Sequence, residues 1–490
     1  MAEEGARVLR AGTVWPGAGP GTLSGCRLAV SGGRIASMAP EGTAPSLFAM
    51  PAFVDAHCHL LWIGFRETRM DLSAAACSGD LLEALAVRER TSDEPILRGE
   101  GWDEGDWGDP GLPSLGEIDQ AAGGRPAFLR RLCGHSALVS SATMELLANQ
   151  GAFRGLSGPL IREEPVLEFD ELFPPDREEM LKAFEEARSR AWGCGVTALR
   201  TLDSMDTCSF LASVPDPRLR LSLAPWVSDG KLPGMPRPVA PGVEAWGVKV
   251  FLDGSIGALS AAMTVPYSDG SSGSLVYDDG DLSLLLSDAL ASGLRVAAHA
   301  IGGCALRQLD RVSGELAAGD LPRGATITVE HAEELEADWP GGWRRDLHGF
   351  SMQPNFVRSW QSPGGLYSGR LPGDSWKRLN PFSLPSAAGF RLGFGSDSMP
   401  LGPLWGLRGA LDHPAGSAVG PLEALTAYTT GAADICGFDD LACPLAPGRP
   451  ADIVVLSGSP FRSDPGDLSV VATIAGGTVV SGDPGVLEPR

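Results

Sequence analysis

Eight short apolar segments recur through the middle of this 490-residue chain, and their order constrains the fold more than any other feature. They are PAFVDAHCH (51–59), GVTALR (195–200), RLRLSLAPWV (218–227), GVKVFLDGS (247–255), LRVAAHAIG (294–302), ATITVEHAEEL (325–335), GFSMQPNF (349–356) and FRLGFGSD (390–397). Each has the length and composition of a buried strand. Helical patterns lie between several of them. DREEMLKAFEEARSRAWGCG opens with Asp176 and Glu179 in capping-box spacing, then sets Met180, Phe184, Ala187 and Ala191 on one face. DLSLLLSDALASG and PLEALTAYTTGAADICG are similar, the latter starting with Pro421 at a first-turn position. Eight strands alternating with helices predict an α/β fold, a (β/α)8 TIM-like barrel.

The two ends read differently. RLAVSGGRIASM is two strands around a Ser-Gly-Gly turn, and VVATIAGGTVVSG is another hairpin around Gly476-Gly477, preceded by the strand ADIVVL. Neither end alone buries enough surface to be stable. One small β-sandwich formed by both termini is therefore expected, its parts at 1–50 and 441–490, with the barrel at 51–440. Residues at about 60–175 are too many for one strand–helix unit and read as an insertion after the first strand. It carries GEGWDEGDWGDPGLP and CGHSALVSSATMELL; a second irregular stretch, 357–389, reads as a lid or loop.

Composition narrows the partners. A formal net charge of −22 argues against nucleic acid or an anionic membrane surface, both of which need clustered Lys and Arg. No apolar run reaches the length of about 18 residues that a membrane span requires. The nine cysteines are scattered without a CxxC pair, the pattern of a reducing compartment, and the acidic N-terminus lacks a signal-peptide core. A cytoplasmic protein acting on a small-molecule substrate is expected, with a homo-oligomer compatible.

The histidines carry the chemistry. Only seven occur, and four stand at the carboxyl ends of apolar strands: His57 and His59 on the first, His299 in LRVAAHA and His331 in ITVEHA. Asp397 ends FRLGFGSD in the same way. That end is where barrel active sites form. Residues two apart in a strand share a face, so His57 and His59 point together and can hold one metal ion. Lys249, one of only four lysines, sits in GVKVFLDGS. It reads either as a buried ammonium paired with Asp253 or as an amine carboxylated by CO2, which would supply two anionic oxygens to metal. His348 and His413 read as structural.

This order of residues resembles the metal-dependent amidohydrolase superfamily. KVFLDGSIGALSA, HAIGG, VEHAEEL, SMQPNF and FGSDSMP, with GWDE and GHSALVSSATMELL in the insertion, are similar to motifs of its amidohydrolase family 3 branch, which contains N-substituted formamide deformylases. The resemblance implies His57, His59, Lys249, His299, His331 and Asp397 as metal ligands, with Lys249 carboxylated and one or two divalent ions, zinc by donor type. It implies Asp397 as the catalytic proton shuttle and a C–N bond in an amide or formamide-like substrate as the target. His135 and Trp102 from the insertion, and Phe356, are the expected substrate contacts; His135 can equally be structural. Phe356 stands where relatives commonly have histidine, Ser140 where they often have Asn, and Leu138 where they have bulkier residues, so the substrate is not carried over. A deaminase or cyclic-amide hydrolase would use the same ions, and a non-catalytic scaffold on this fold would have lost ligands that this chain keeps.

Overall fold

The computed structural model describes residues 7–42, 44–108, 111–151, 158–228, 230–234, 241–319, 321–336 and 341–489. The outermost limits of the expected terminal units, residues 1–6 and 490, lie outside them, as do 109 and 110 of the Gly- and Trp-rich insertion loop.

All eight expected strands are present: β1 (Phe53–Cys58), β2 (Val196–Thr201), β3 (Arg220–Leu223), β4 (Gly247–Phe251), β5 (Arg295–Ala300), β6 (Ile327–His331), β7 (His348–Met352) and β8 (Arg391–Phe394). They run parallel, in sequence order, as two arcs. One arc holds β1, β2 and β3 with a short strand, Val243–Ala245, and the other runs from β4 to β8. Single parallel bridges join the arcs at Trp226 with Lys249 and at Cys58 with Asp397, closing a distorted barrel. Its strands are buried on both faces, as a parallel sheet wrapped in helices must be.

Helix Arg177–Gly193 illustrates how the covering layer forms. The Asp176 carboxylate caps it by accepting from the Glu179 amide at 2.9 Å, and Phe184, Ala187 and Ala191 face the core. The pattern at 421–437 predicts one helix, but two form, Pro421–Ala427 and Thr430–Cys436. The break puts the Tyr428 carbonyl where it accepts from Val54 of β1 at 2.8 Å, so a backbone group is spent on the barrel rather than on the helix.

Strands from both ends build one eight-stranded peripheral sheet. Phe48–Pro51 pairs with Arg7–Val14 on one side and Ile453–Leu456 on the other. The sheet curls over its own core of Leu9, Leu28, Ile35, Ile453, Val455 and Ile474, and Ile35 donates back to the Arg449 carbonyl at 2.9 Å. The two layers of the sandwich are thus halves of one sheet. Only Ala52 separates that sheet from β1.

The insertion is more ordered than its Gly- and Trp-rich loops suggest. Met70–Asp71, Leu97–Trp102, Ala127–Arg131, Ser136–Val139 and Leu160–Arg162 form a five-stranded sheet with its own apolar core. It lies against the barrel mouth, where Ser398 donates to the Leu132 carbonyl at 3.1 Å. Residues 354–387 are short helical turns, and Phe356, Trp360, Tyr367 and Trp376 from them pack with Ile256 and Met399 as a roof over the same mouth.

Candidate metal centre

β1 and β8 meet at the site. Gly395 permits this: a Cβ there would stand 2.4 Å from the His57 nitrogen and 2.7 Å from its oxygen. The buried Asp55 carboxylate clamps the two strands by accepting from the amides of Ser396 (3.1 Å) and His57 (3.0 Å). Burial pushes its carboxyl up to about 7. Asp397 follows with φ of 59° and His331 has φ of 71°, left-handed conformations that non-glycine residues adopt at a cost and that cluster at functional sites.

One donor atom from each of His57, His59 and Asp397 lies within 4.8 Å of the others, all three side chains buried. Each imidazole is held from behind. His57 Nδ1 is 2.7 Å from a Glu330 oxygen, and the second oxygen of Glu330 accepts from Arg200 at 2.5 Å. Burial raises the Glu330 carboxyl, but Arg200 and His57 outweigh it and hold it below the usual range. Ionised, it only accepts, so Nδ1 carries the proton and Nε2 presents its lone pair inward. His59 Nδ1 lies 3.2 Å from Asp203, and its Nε2 3.1 Å from Asp397. Burial opposes its charge, yet these two carboxylates raise His59 to about 9. Burial and the Lys249 ammonium depress His57 to about 4, keeping it neutral. Burial would raise Asp397 too, but the surrounding imidazoles of His57, His59 and His331 hold it well below the usual carboxylate range.

The other expected residues surround this trio. The rings of His57 and His331 are 4.8 Å apart, and those of His331 and His299 4.5 Å apart. His331 Nδ1 is 2.8 Å from the Gln353 amide oxygen, and His299 Nε2 donates to the Gly254 carbonyl at 3.0 Å. Lys249 is buried with its Nζ 3.3 Å from His57 Nε2, and burial lowers it to about 8. It does not pair with Asp253, whose carboxylate instead accepts from the amides of Ala262, Ile301 and Gly302. His135 reaches the mouth from the insertion, its ring 5.9 Å from that of His299, and Phe356 stacks over His331 at 6.0 Å.

Trp102 is a correction. It is fully buried in the core of the inserted sheet, where the register shift between Glu100 and Trp102 places it beside Leu97 and Leu129, and its indole N–H donates to the Leu129 carbonyl at 2.7 Å. Leu138 packs in that same core, and Ser140 is the N-cap of helix Ser141–Asn149. His348 and His413 make structural hydrogen bonds, to Ser313 at 3.0 Å and to the Leu379 carbonyl at 2.7 Å.

Sequence reasoning missed the residues that orient the ligands: Glu330, Arg200, Asp203, Asp55 and Gln353. It also missed three aromatics at the mouth. Trp62 stacks on His59 at 4.5 Å, Trp226 is 6.1 Å from it, and Phe251 is 5.2 Å from His299. Their signal was position, since Trp226 and Phe251 end strand segments just as the histidines do.

Imidazole nitrogens and a carboxylate are the donor set of a borderline divalent cation, and the anchored Nδ1 atoms are the support such ligands need. A parallel barrel with a buried divalent-metal site of this kind at the carboxyl ends of its strands defines a metal-dependent hydrolase. The chain belongs to the amidohydrolase family, whose sequence model matches residues 46–481, and its centre is built for metal-activated hydrolysis of a C–N bond.

Among curated proteins it is 29% identical over 481 residues to YtcJ of Bacillus subtilis (strain 168), named as an amidohydrolase, covering 88% of each chain. It is 27% identical over 482 residues to Protein LONG AFTER FAR-RED 3 of Arabidopsis thaliana, covering 87% of this chain and 81% of the other. In fold it is similar to an uncharacterized metal-dependent hydrolase from Pyrococcus horikoshii OT3, with a TM-score of 0.73, 23% identity, and coverage of 94% and 99%. No helix among the described residues is long and apolar enough to cross a membrane.

Proposed function

We propose that the protein hydrolyses the C–N bond of a small amide bearing an apolar or aromatic substituent, with zinc as the resident ion. The observation that carries this is the convergence of His57, His59 and Asp397 within 4.8 Å under a collar of aromatic side chains. Trp62, Trp226 and Phe251 are each partly exposed beside the site, so they offer apolar surface to a ligand.

His57, His59, His299, His331 and Asp397 would hold the metal, with Lys249 as a carbamate. The support for Lys249 is its burial beside His57 without a carboxylate in ion-pair range among the described residues. An amine there, attacking CO2 and releasing a proton, gains a negative charge that a cation site accommodates. When bound, the ion polarises the amide carbonyl and acidifies water. Asp397, ionised and at the mouth, accepts a proton from the attacking water and returns it to the leaving nitrogen as the C–N bond breaks. His135 is the group placed to hold a substrate oxygen, and Phe356 lines the wall beside His331. Nine free cysteines, several of them buried, support a reducing, cytoplasmic setting.

The test is elemental analysis of purified protein beside a panel of N-substituted formamides, N-acyl amines, cyclic imides and amino-heterocycles. Zinc with turnover of open-chain amides is the expected result. Ammonia release from the heterocycles alone would replace this reading with a deaminase, and ring opening alone with a cyclic-amide hydrolase.

A further inference from the structure

His135 is the one histidine at the mouth that the insertion supplies, and its side chain is 24% exposed where the other histidines of the site are almost fully buried. What stands behind it is not contained in any motif. Ser136–Val139 pairs antiparallel with Leu160–Arg162, with Ser136 opposite Arg162, so the register brings Glu163 beside His135. The backbone seals that pairing: the Glu163 amide donates to the His135 carbonyl at 2.8 Å. Glu163 holds φ of 56°, a left-handed conformation, and in it the carboxylate reaches His135 Nδ1 at 2.9 Å.

The second oxygen of that carboxylate faces the barrel. It accepts from the hydroxyl of Ser260 in the loop that follows β4, and Ser260 Oγ in turn accepts from the Ser255 amide at 3.0 Å. Gly254 leaves the room for this contact, since a Cβ there would stand 2.2 Å from Ser260 Oγ and 2.8 Å from the Glu163 carboxylate. The same Gly254 offers its carbonyl to His299. One loop therefore fixes Glu163 on one side and His299 on the other, and the rings of His135 and His299 lie 5.9 Å apart, tilted by 53°.

We infer that Glu163, backed by Ser260, is a positioning residue that sets the tautomer and orientation of His135 toward the substrate. A carboxylate only accepts, so Nδ1 of His135 must carry a proton and Nε2 is turned to the ligand, where it donates to a substrate oxygen when the ring is doubly protonated. Both hydrogens in the relay thus have one direction: Ser260 to Glu163, and His135 to Glu163. This deepens the reading of His135 given above, and only its effect on turnover rests on that reading.

The tautomer is measurable without a substrate. Protein labelled with 15N-histidine gives long-range proton–nitrogen correlations that report which ring nitrogen is protonated, and with seven histidines His135→Gln identifies the signal. At a pH where the ring is neutral, wild type is expected to show His135 protonated on Nδ1. Glu163→Ala is expected to move the proton to Nε2, while Glu163→Gln, whose amide oxygen still accepts, retains Nδ1–H. Unchanged signals from the other six rings show that the variants are folded. A wild-type ring protonated on Nε2 overturns the inference by itself, even if Glu163→Ala does not fold, and so does a Glu163→Ala spectrum that keeps Nδ1–H. With the amide that the panel returns, Glu163→Ala should lose kcat/KM, Glu163→Gln should recover part of it, and His135→Gln/Glu163→Ala should be no worse than His135→Gln. A panel without any turnover would refute the hydrolase reading and leave the tautomer result standing.

Discussion

The amide of Asp397 donates a 2.6 Å hydrogen bond to the carbonyl of His57. The last strand of the barrel is thus fastened to the first at two of the three residues whose side chains form the cation site. Returning from the other direction, the His59 amide donates to the Asp397 carbonyl at 3.3 Å. Because the backbone of Asp397 is pinned on both sides, its carboxylate is free for chemistry rather than needed for structure. Asp397→Asn should therefore still fold cooperatively, its melting shifted only by the loss of the charge facing His59, yet lose the general acid–base contribution of roughly 10²–10⁴-fold in kcat. A thermal melt beside single-substrate kinetics checks both halves, and wild-type turnover in this variant would end the proposed mechanism.

Gly395→Ala should separate the two strands that this hydrogen bond joins. Its methyl would meet backbone atoms of His57 at 2.4 and 2.7 Å, which cannot rotate away. Overpacking of this kind costs about 1–3 kcal/mol. A lowered urea midpoint together with reduced bound metal is the expected result. A lowered midpoint with full metal content would show that the strand junction and the cation site are uncoupled.

Glu330 lies between Arg200 and His57 with no exposed side-chain surface. In Glu330→Gln the Arg200 guanidinium stays buried without its anion, and breaking a buried pair from one side costs about 3–5 kcal/mol. Only one of the two positions facing Arg200 and His57 keeps an oxygen in this variant, and where Arg200 takes it His57 loses the acceptor that points its Nε2 inward, so metal affinity should fall by about 10–100-fold. Denaturant unfolding and a competitive metal titration measure the two effects. Stability equal to wild type would mean that Arg200 is satisfied by the Ala56 carbonyl and the Trp246 ring alone.

Much of this was legible in advance, and the misses have physical causes. The strand ends are readable because apolar runs stop where a polar residue of the site begins, as in FVDAHCH and ITVEHA. Glu330 escapes the same logic. Alternation sends Glu330 and His331 to opposite faces, yet the left-handed backbone at His331 and Ala332 turns the chain, so both serve one centre. Trp102 was misread because an aromatic in a glycine-rich stretch resembles a pocket wall, whereas here it nucleates the core of a sheet that only long-range pairing reveals. The helix at 421–437 breaks for a similar reason: its periodicity is intact, but a tertiary bond to Val54 takes the Tyr428 carbonyl.

Asp452, where the terminal sheet meets the barrel, gives a pH prediction away from the metal site. Its carboxylate accepts from the Gly476 amide at 2.6 Å, but burial outweighs that bond and raises the group from 3.8 to about 6. Between those values the folded protein binds more protons at this site than the unfolded chain, so the contribution of Asp452 to stability falls as pH rises through the window. Asp452→Asn keeps an oxygen for Gly476 and removes the titration. The stability difference between variant and wild type should therefore grow in favour of the variant from pH 4 to pH 6, and urea midpoints across that range measure it. A constant difference would mean that Asp452 stays ionised throughout.

Lys249 gives the prediction that bears most directly on how many charges the cation site holds. Its amine is buried, 3.3 Å from the Nε2 lone pair of His57. As an ammonium it repels a cation there; as a carbamate it attracts one with two oxygens. The two states therefore predict opposite outcomes for Lys249→Ala. If the lysine is carboxylated, removing it lowers bound metal, and short carboxylic acids that fit the vacated space restore part of it. If it stays an ammonium, removing it deletes a repulsion, and metal binds at least as well as before. Because burial lowers the amine to about 8, the reactive neutral form is accessible near neutral pH, so loading with bicarbonate present should exceed loading in bicarbonate-free buffer in wild type but not in the variant. Elemental analysis of both proteins under the two conditions decides between them. Undiminished metal in Lys249→Ala, insensitive to bicarbonate, would assign the site to the histidines and Asp397 alone.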